Sequence, residues 1–144
     1  MAERTARDLA LAGAVLVLLG LLTGLISGSL ANPRMGLSSH LAAMMGGTLL
    51  LAMAAAWRWV VLSAGLDRLA FWLLVYAQLA NWAATLLAAV WGAGAGSMPI
   101  AAGTNQAAQW QEGLVMALLV TLSLAMIAGM ALVIKGLLAG RKAG

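Results

Sequence analysis

The fold of this chain is decided by residues 9–31, which read LALAGAVLVLLGLLTGLISGSLA and contain no charged side chain. A helix needs roughly 20 consecutive apolar residues to cross the hydrocarbon core of a bilayer. Three further apolar stretches follow in the 144-residue chain, at residues 37–57, 69–95 and 113–138. Backbone polar groups in lipid must be satisfied within the segment itself, so we expect these spans to be helices. The sequence therefore predicts an all-α bundle of four transmembrane helices that occupies residues 1–144 as a single membrane domain.

The distribution of positive charge predicts the orientation of the spans. The chain is 64% hydrophobic and 8% charged, with a formal net charge of +4. Lys and Arg lie before the first span, between the second and third, and towards the chain end, whereas Arg34 alone falls on the other side. This asymmetry follows the positive-inside rule and does not indicate a nucleic-acid partner. We expect a multi-pass protein of a bacterial-type inner membrane, embedded in the lipid bilayer, with both termini in the cytoplasm.

The first span also resembles a secretory signal peptide. A charged start and an apolar run precede the small-residue sequence Ser29-Leu30-Ala31, which is typical of a cleavage site. The apolar run is long for such a peptide, and Pro33 follows it closely. We therefore expect the first span to be retained as a transmembrane helix.

His40 is the one histidine of the chain and lies about one turn into the second span. Ionisable groups inside a span are costly and often functional. Because the chain has no cysteine, iron–sulfur clusters and cysteine-bound zinc are excluded, and a neutral imidazole is a good haem-iron ligand. His40 shares a helical face with Met44 and Gly47, so these three are the predicted cofactor-binding residues, with His40 as metal ligand and Met44 as a candidate second ligand. The alternative is a structural histidine that only hydrogen-bonds a neighbour such as Ser38 or Asn32.

A line of polar side chains runs along the third span. Gln78, Asn81 and Thr85 lie on one helical face. Buried amides must find partners. This face therefore either makes hydrogen bonds to a neighbouring helix or borders a pocket in which the amides orient the polar end of an otherwise apolar substrate.

The longest loop, residues 92–112, carries no Lys or Arg and is rich in amides, Asn105 among them. It lies on the same side of the membrane as His40, so it is either a pocket wall or a solvated connector. Its acid, Glu112, is either a general acid or base or a favourable charge at the start of the fourth helix.

Glycines recur along one face of the first span. Gly20, Gly24 and Gly28 form two overlapping GxxxG patterns, which let helix backbones approach closely, either within one chain or between subunits. Because four helices enclose little interior, a pocket for a sizeable ligand forms more easily between subunits. We therefore expect a homo-oligomer.

Several sequence blocks resemble the hydroxylaminobenzene mutase family and, more distantly, styrene oxide isomerase. They are residues 20–24 (GLLTG), 32–41 (NPRMGLSSHL), 80–87 (ANWAATLL), 99–103 (PIAAG) and 111–113 (QEG). The resemblance covers most of the chain and implies a small membrane isomerase that assembles as a homotrimer and binds haem b through a histidine of the second helix, here His40. Asn81 and Asn105 match polar elements of the family. The resulting candidate catalytic residues are Asn81, Gln78, Thr85 and Asn105.

The sequence departs from the family pattern at four positions near these residues. The resemblance leads us to expect an asparagine where Gly46 stands, and often a glutamate where Ala42 stands. Ala77 and Thr85 replace an acidic residue and a tyrosine of the isomerase.

The sequence is thus interpreted as an isomerase, an intramolecular mutase that converts an aryl hydroxylamine to an aminophenol with ferric haem as Lewis acid on the substrate oxygen. One alternative is an aryl epoxide isomerase that gives an aldehyde. Two others are a non-enzymatic haem-binding membrane subunit and a haem-free four-helix scaffold that binds a partner.

Overall fold

A computed structural model describes residues 2–143 and shows an all-helical chain. Its four long helices are α1 (Ala2–Ile26), α2 (Pro33–Ala56), α3 (Ala64–Trp91) and α5 (Gln109–Ala143), with the short helix α4 (Pro99–Ala102) in the loop before α5. Each long helix is long and apolar enough to cross a membrane. The prediction of four helical spans is confirmed, although α1 and α3 end about four to five residues earlier than predicted.

The helix ends follow from local backbone chemistry. The Asn32 side chain accepts a hydrogen bond from the Met35 backbone N–H at 3.2 Å and so caps α2. Pro33 occupies the first position of α2, where the N–H that proline lacks has no helical partner in any case. α3 ends at Gly92, whose φ of 68° lies in the left-handed region that glycine adopts without strain.

The long helices pack in a row rather than as a closed bundle. α1 packs along α2, α2 along α3 and α3 along α5, whereas α5 makes no comparable contact with α1 or α2 within residues 2–143. Half of the most apolar 18-residue window of α3 is buried, against 17% of that of α5. α3 is therefore the central helix, and the flanks of the row are apolar surfaces that face lipid or another subunit.

Glycines bring the backbones of α1 and α2 into contact. A Cβ added at Gly13 would lie 2.8 Å from the Gly47 carbonyl oxygen, and one added at Gly47 would lie 2.6 Å from Val17 Cγ2. Gly20 also lies against α2, whereas Gly28 has no described neighbour within 4 Å. Of the two interpretations of the GxxxG patterns, these contacts support packing within one chain.

Asp67 joins three helices on the side of the molecule where α1 begins and α5 ends. Its carboxylate is buried and accepts hydrogen bonds from Thr5 Oγ1 at 2.6 Å and from Trp57 Nε1 at 2.9 Å. The acid thus connects α1, the end of α2 and α3. Its role was not predicted because it precedes the apolar stretch that begins at residue 69, whereas the helix begins earlier, at Ala64.

Replacing Asp67 by alanine should lower the free energy of unfolding by about 2–3 kcal/mol, because two buried donors lose a charged acceptor. Unfolding in detergent by heat or denaturant measures this loss. Asp8→Ala is the matched control: Asp8 is half exposed and lies 4.0 Å from Arg4, so the expected loss is below about 1 kcal/mol. Equal losses in the two variants would contradict the role assigned to Asp67.

Candidate active site

The start of α2 is anchored to helix α4 by two side chains. Asn32 Nδ2 donates to the Ala101 carbonyl at 3.0 Å, and Arg34 Nη1 donates to the Ile100 carbonyl at 2.9 Å. Asn32 is buried, so its amide satisfies backbone carbonyls that have no helical partner. These bonds hold the loop that contains α4 over the end of α2 on which His40 lies.

His40 faces α1. Its Nδ1 lies 2.7 Å from the Gly20 carbonyl oxygen. A carbonyl oxygen only accepts, so Nδ1 is the donor of this bond, and in the tautomer with this proton the lone pair lies on Nε2. The ring rests on Gly24, where an added Cβ would lie 2.8 Å from Nδ1. Neither Ser38 nor Asn32 is the partner of the ring, which bonds a backbone carbonyl of the neighbouring helix instead. The alternative of a structural histidine that only hydrogen-bonds a neighbour is compatible with this contact.

This state of His40 fits a haem-iron ligand. A ligating histidine binds the metal through one ring nitrogen and usually donates the other N–H to a carbonyl or carboxylate. Here Nδ1–H is already bound to Gly20, which leaves Nε2 as the nitrogen that would hold iron. Residues 2–143 contain no group of three or more His, Cys, Asp or Glu side chains that could hold a metal ion. A single imidazole suits a metal whose other ligands come from a macrocycle.

The other two predicted cofactor-binding residues, Met44 and Gly47, also lie on the α1 side of α2. The Met44 sulfur would lie 3.2 Å from a Cβ at Gly20, and the space beside Gly47 is filled by Val17. The side of α2 that carries these two predicted cofactor-binding residues is therefore occupied by α1. His40 and Met44 lie one turn apart on the same side of α2. The assignment of Met44 as a second ligand stays a prediction.

A groove of about 650 Å³ lies along α2 where it meets α3. Two polar side chains of α3, Gln78 and Asn81, border it. Its other lining residues come from α2 and, apart from one threonine, are apolar: Ala42, Met44, Met45, Gly46, Thr48, Leu49 and Ala52. His40 is not among the lining residues, so the histidine does not line this groove together with the amide pair.

The two amides of the groove keep unused hydrogen-bonding capacity. The Asn81 side chain has no hydrogen-bond partner in the described part of the chain, and Gln78 Nε2 donates to the Met126 sulfur at 3.2 Å, which is a weak acceptor. The Gln78 Oε1 lies close against Gly46, where an added Cβ would be 2.5 Å away. Both interpretations of the polar line thus hold in part: Gln78 bridges α2 and α5, while Asn81 faces the groove.

Thr85 and Asn105 lie elsewhere. The Thr85 hydroxyl donates within α3, 2.8 Å from the Asn81 carbonyl oxygen, and its side chain is buried. Asn105 lies in the loop before α5 and donates from Nδ2 to the Ala102 carbonyl at 2.9 Å. Within one chain, both side chains therefore stabilise backbone and neither lines the groove.

Glu112 braces the loop between α3 and α5. Each carboxylate oxygen lies 3.0 Å from the Gly94 backbone nitrogen, and Oε1 lies 3.3 Å from that of Ala95. Glu112 stands in the first turn of α5, as the interpretation as a helix-start charge requires. Its side chain nevertheless binds the loop, and it does not line the groove as an acid or base.

A network of hydrogen bonds that includes Ser39, the neighbour of His40, was not predicted. Trp82 Nε1 donates to Thr23 Oγ1 at 3.0 Å, and Thr23 Oγ1 donates to the Leu19 carbonyl at 2.7 Å. Ser39 Oγ donates to the Trp82 carbonyl at 3.1 Å. These bonds join α1, α2 and α3 around His40. The sequence signal for this network was that Ser39, Thr23 and Trp82 each carry a hydrogen-bond donor within an otherwise apolar span.

Comparison with known proteins gives these residues a family context. Residues 5–138 match the family model described as styrene oxide isomerase. The chain is 48% identical over 132 residues to hydroxylaminobenzene mutase HabB of Ectopseudomonas oleovorans, an alignment that covers 92% of this chain and 80% of the relative. It is 43% identical over 126 residues to hydroxylaminobenzene mutase HabA of the same organism, covering 88% of this chain and 93% of the relative. No solved structure matches the chain.

Proposed function

The chain belongs to the styrene oxide isomerase family and is an isomerase, and we propose that it converts an aryl hydroxylamine to an aminophenol. Two relatives that cover most of the chain are named for this mutase activity. The observation that carries the proposal is the groove, which combines apolar walls with the amides of Gln78 and Asn81. The reaction breaks the N–O bond and one ring C–H bond, and it forms a C–O bond on the ring of the same molecule and an N–H bond that takes up a proton in place of the one the ring releases. Atoms and electrons balance, so no reductant is needed.

In the proposed site, the aromatic ring of the substrate lies on the apolar wall that Met45 and Leu49 provide. The Asn81 amide, which has no side-chain hydrogen bond to any described residue, binds the polar substituent as both donor and acceptor. Gln78 supports the same end from its position between α2 and α5. The apolar wall excludes water, so the hydroxyl group that leaves nitrogen stays beside the ring.

We also propose that His40 holds haem b through Nε2. Ferric haem held there would supply Lewis acidity toward the substrate oxygen. The contribution of the chain is to keep the proton of the ring on Nδ1, through the bond to the Gly20 carbonyl, and thus keep Nε2 free.

We propose that the site closes between the chains of a homotrimer. His40 and the amide pair lie on different sides of α2, and the groove is open, so one chain alone does not enclose a substrate. The open side of α2 carries large apolar side chains, with Leu41 47% exposed and Met45 73% exposed. A second chain packed there would cover this surface. The distribution of Lys and Arg supports an inner-membrane location with both termini in the cytoplasm.

Product analysis with phenylhydroxylamine and, separately, with styrene oxide tests the proposed reaction. Purified protein in detergent should give aminophenol from phenylhydroxylamine, above the background of a sample without protein. The family model favours a second candidate, an aryl epoxide isomerase. An aldehyde from styrene oxide without any aminophenol would establish that second activity and overturn the first.

Replacing Asn81 by alanine should lower kcat/KM by about tenfold to hundredfold, since the loss of one or two hydrogen bonds to the substrate costs about 1.4–2.8 kcal/mol. Steady-state kinetics with the aryl hydroxylamine measure the change. Gln109→Ala is the control, because it removes an exposed amide at the start of α5, outside the groove. An Asn81→Ala enzyme with unchanged kcat and KM would remove Asn81 from the site.

A further inference from the structure

We propose that Gly20 and Gly24 of α1 form a histidine cradle, in which the Gly20 carbonyl oxygen and the bare Cα of Gly24 together fix the tautomer and the direction of His40. Neither residue touches substrate, so both are positioning residues. The inference deepens the proposed function, and it rests on that function only for the identity of the group that Nε2 binds.

The first component of the cradle is the acceptor. Nδ1 of His40 lies 2.7 Å from the Gly20 oxygen, a short and therefore strong hydrogen bond. A carbonyl oxygen has two lone pairs, so the Gly20 oxygen can accept a hydrogen bond from the ring and also keep its hydrogen bond within α1. The partner of one ring nitrogen decides which nitrogen is protonated. Because free neutral histidine favours the proton on Nε2, the cradle reverses the intrinsic preference of the ring.

The second component of the cradle is space. A Cβ at Gly24 would lie 2.8 Å from Nδ1, 3.1 Å from Cε1 and 3.3 Å from Cγ of His40. The imidazole ring thus occupies the place where any other residue would carry its side chain. Even alanine would push the ring away from the Gly20 oxygen and break the bond that holds the proton on Nδ1.

The third component is the fixed position of α1. Thr23, which precedes Gly24, accepts from Trp82 Nε1 and donates to the carbonyl of Leu19, which precedes Gly20. α1 is therefore bonded to α3 beside both cradle residues and does not rotate freely against α2. The two glycines of this GxxxG pattern have separate roles: Gly20 packs against α2 and supplies the acceptor, while Gly24 makes room for the ring.

The single histidine of the chain makes the tautomer directly measurable. Full-length protein labelled with ¹⁵N-histidine and placed in lipid nanodiscs gives one pair of imidazole nitrogens. Suppression of haem synthesis during expression keeps iron from broadening their resonances. The wild-type chain should show a protonated Nδ1 and a bare Nε2. A protonated Nε2, or an average of the two tautomers, would overturn the cradle. This test uses the wild-type chain alone.

Two alanine variants test the role of Gly24. Gly24→Ala should lose the Nδ1-protonated state as its major form and move toward Nε2–H. Gly28→Ala makes the same chemical change four residues later, where the added Cβ meets no described neighbour within 4 Å. Its imidazole spectrum should match that of the wild type. A Gly24→Ala spectrum identical to that of the wild type would overturn the cradle.

Haem content separates failure of the cradle from failure of the proposed cofactor. Both quantities are measured on the wild-type chain, with haem extracted from protein that was expressed with ample haem. An Nδ1-protonated ring in a chain that takes up no haem supports the cradle and contradicts the proposed cofactor. Haem uptake by a chain whose ring is protonated on Nε2 in the haem-free state overturns the cradle and leaves the proposed function intact.

Discussion

The close contact between the backbones of α1 and α2 is the constraint on which the rest of the structure depends. Gly13 and Gly47 let the two helices touch through their main chains. Only at this separation does the Gly20 carbonyl come within hydrogen-bonding distance of His40. A wider spacing would leave a half-buried imidazole N–H without this acceptor, which is costly in an apolar medium. The glycines of α1 therefore determine the state of the one histidine in the chain.

The other side of α2 depends on a second glycine contact. Gly46 lets the Gln78 amide lie against the backbone of α2. The sequence resemblance leads one to expect an asparagine at position 46, so the groove keeps an amide at this point although α3, not α2, supplies it. Asn81 adds a second amide one turn along α3. The polar side chains of α3 thus face α2 and the groove rather than lipid, as expected for amides within a span.

Hydropathy was sufficient to predict the four helices, because bilayer thickness sets the length of an apolar span. The start of α2 was also predictable, since Asn-Pro combines a capping side chain with the first position of a helix. The helix row was not predictable, because in lipid an apolar side chain on an exposed face resembles one at a helix contact.

Individual hydrogen-bond partners were the least predictable feature. The sequence indicates that His40 is important. Its partner is the backbone carbonyl of Gly20, and because every residue has a backbone carbonyl, the sequence does not show which one orients the ring. Thr85 lies on the predicted polar face, yet its hydroxyl proton is used by its own helix. Asp67 was missed because it precedes the apolar stretch predicted for the third span, and because its partner Thr5 lies 62 residues away in sequence.

The central proposal is that a single imidazole, oriented by α1, holds the haem iron. The most direct test compares the absorption spectrum of the detergent-purified protein with that of the His40→Ala variant. With ample haem during expression, the wild-type chain should show a Soret band that the variant lacks, while both remain folded. A wild-type spectrum without a Soret band, or an equal band in the variant, would contradict iron ligation by His40.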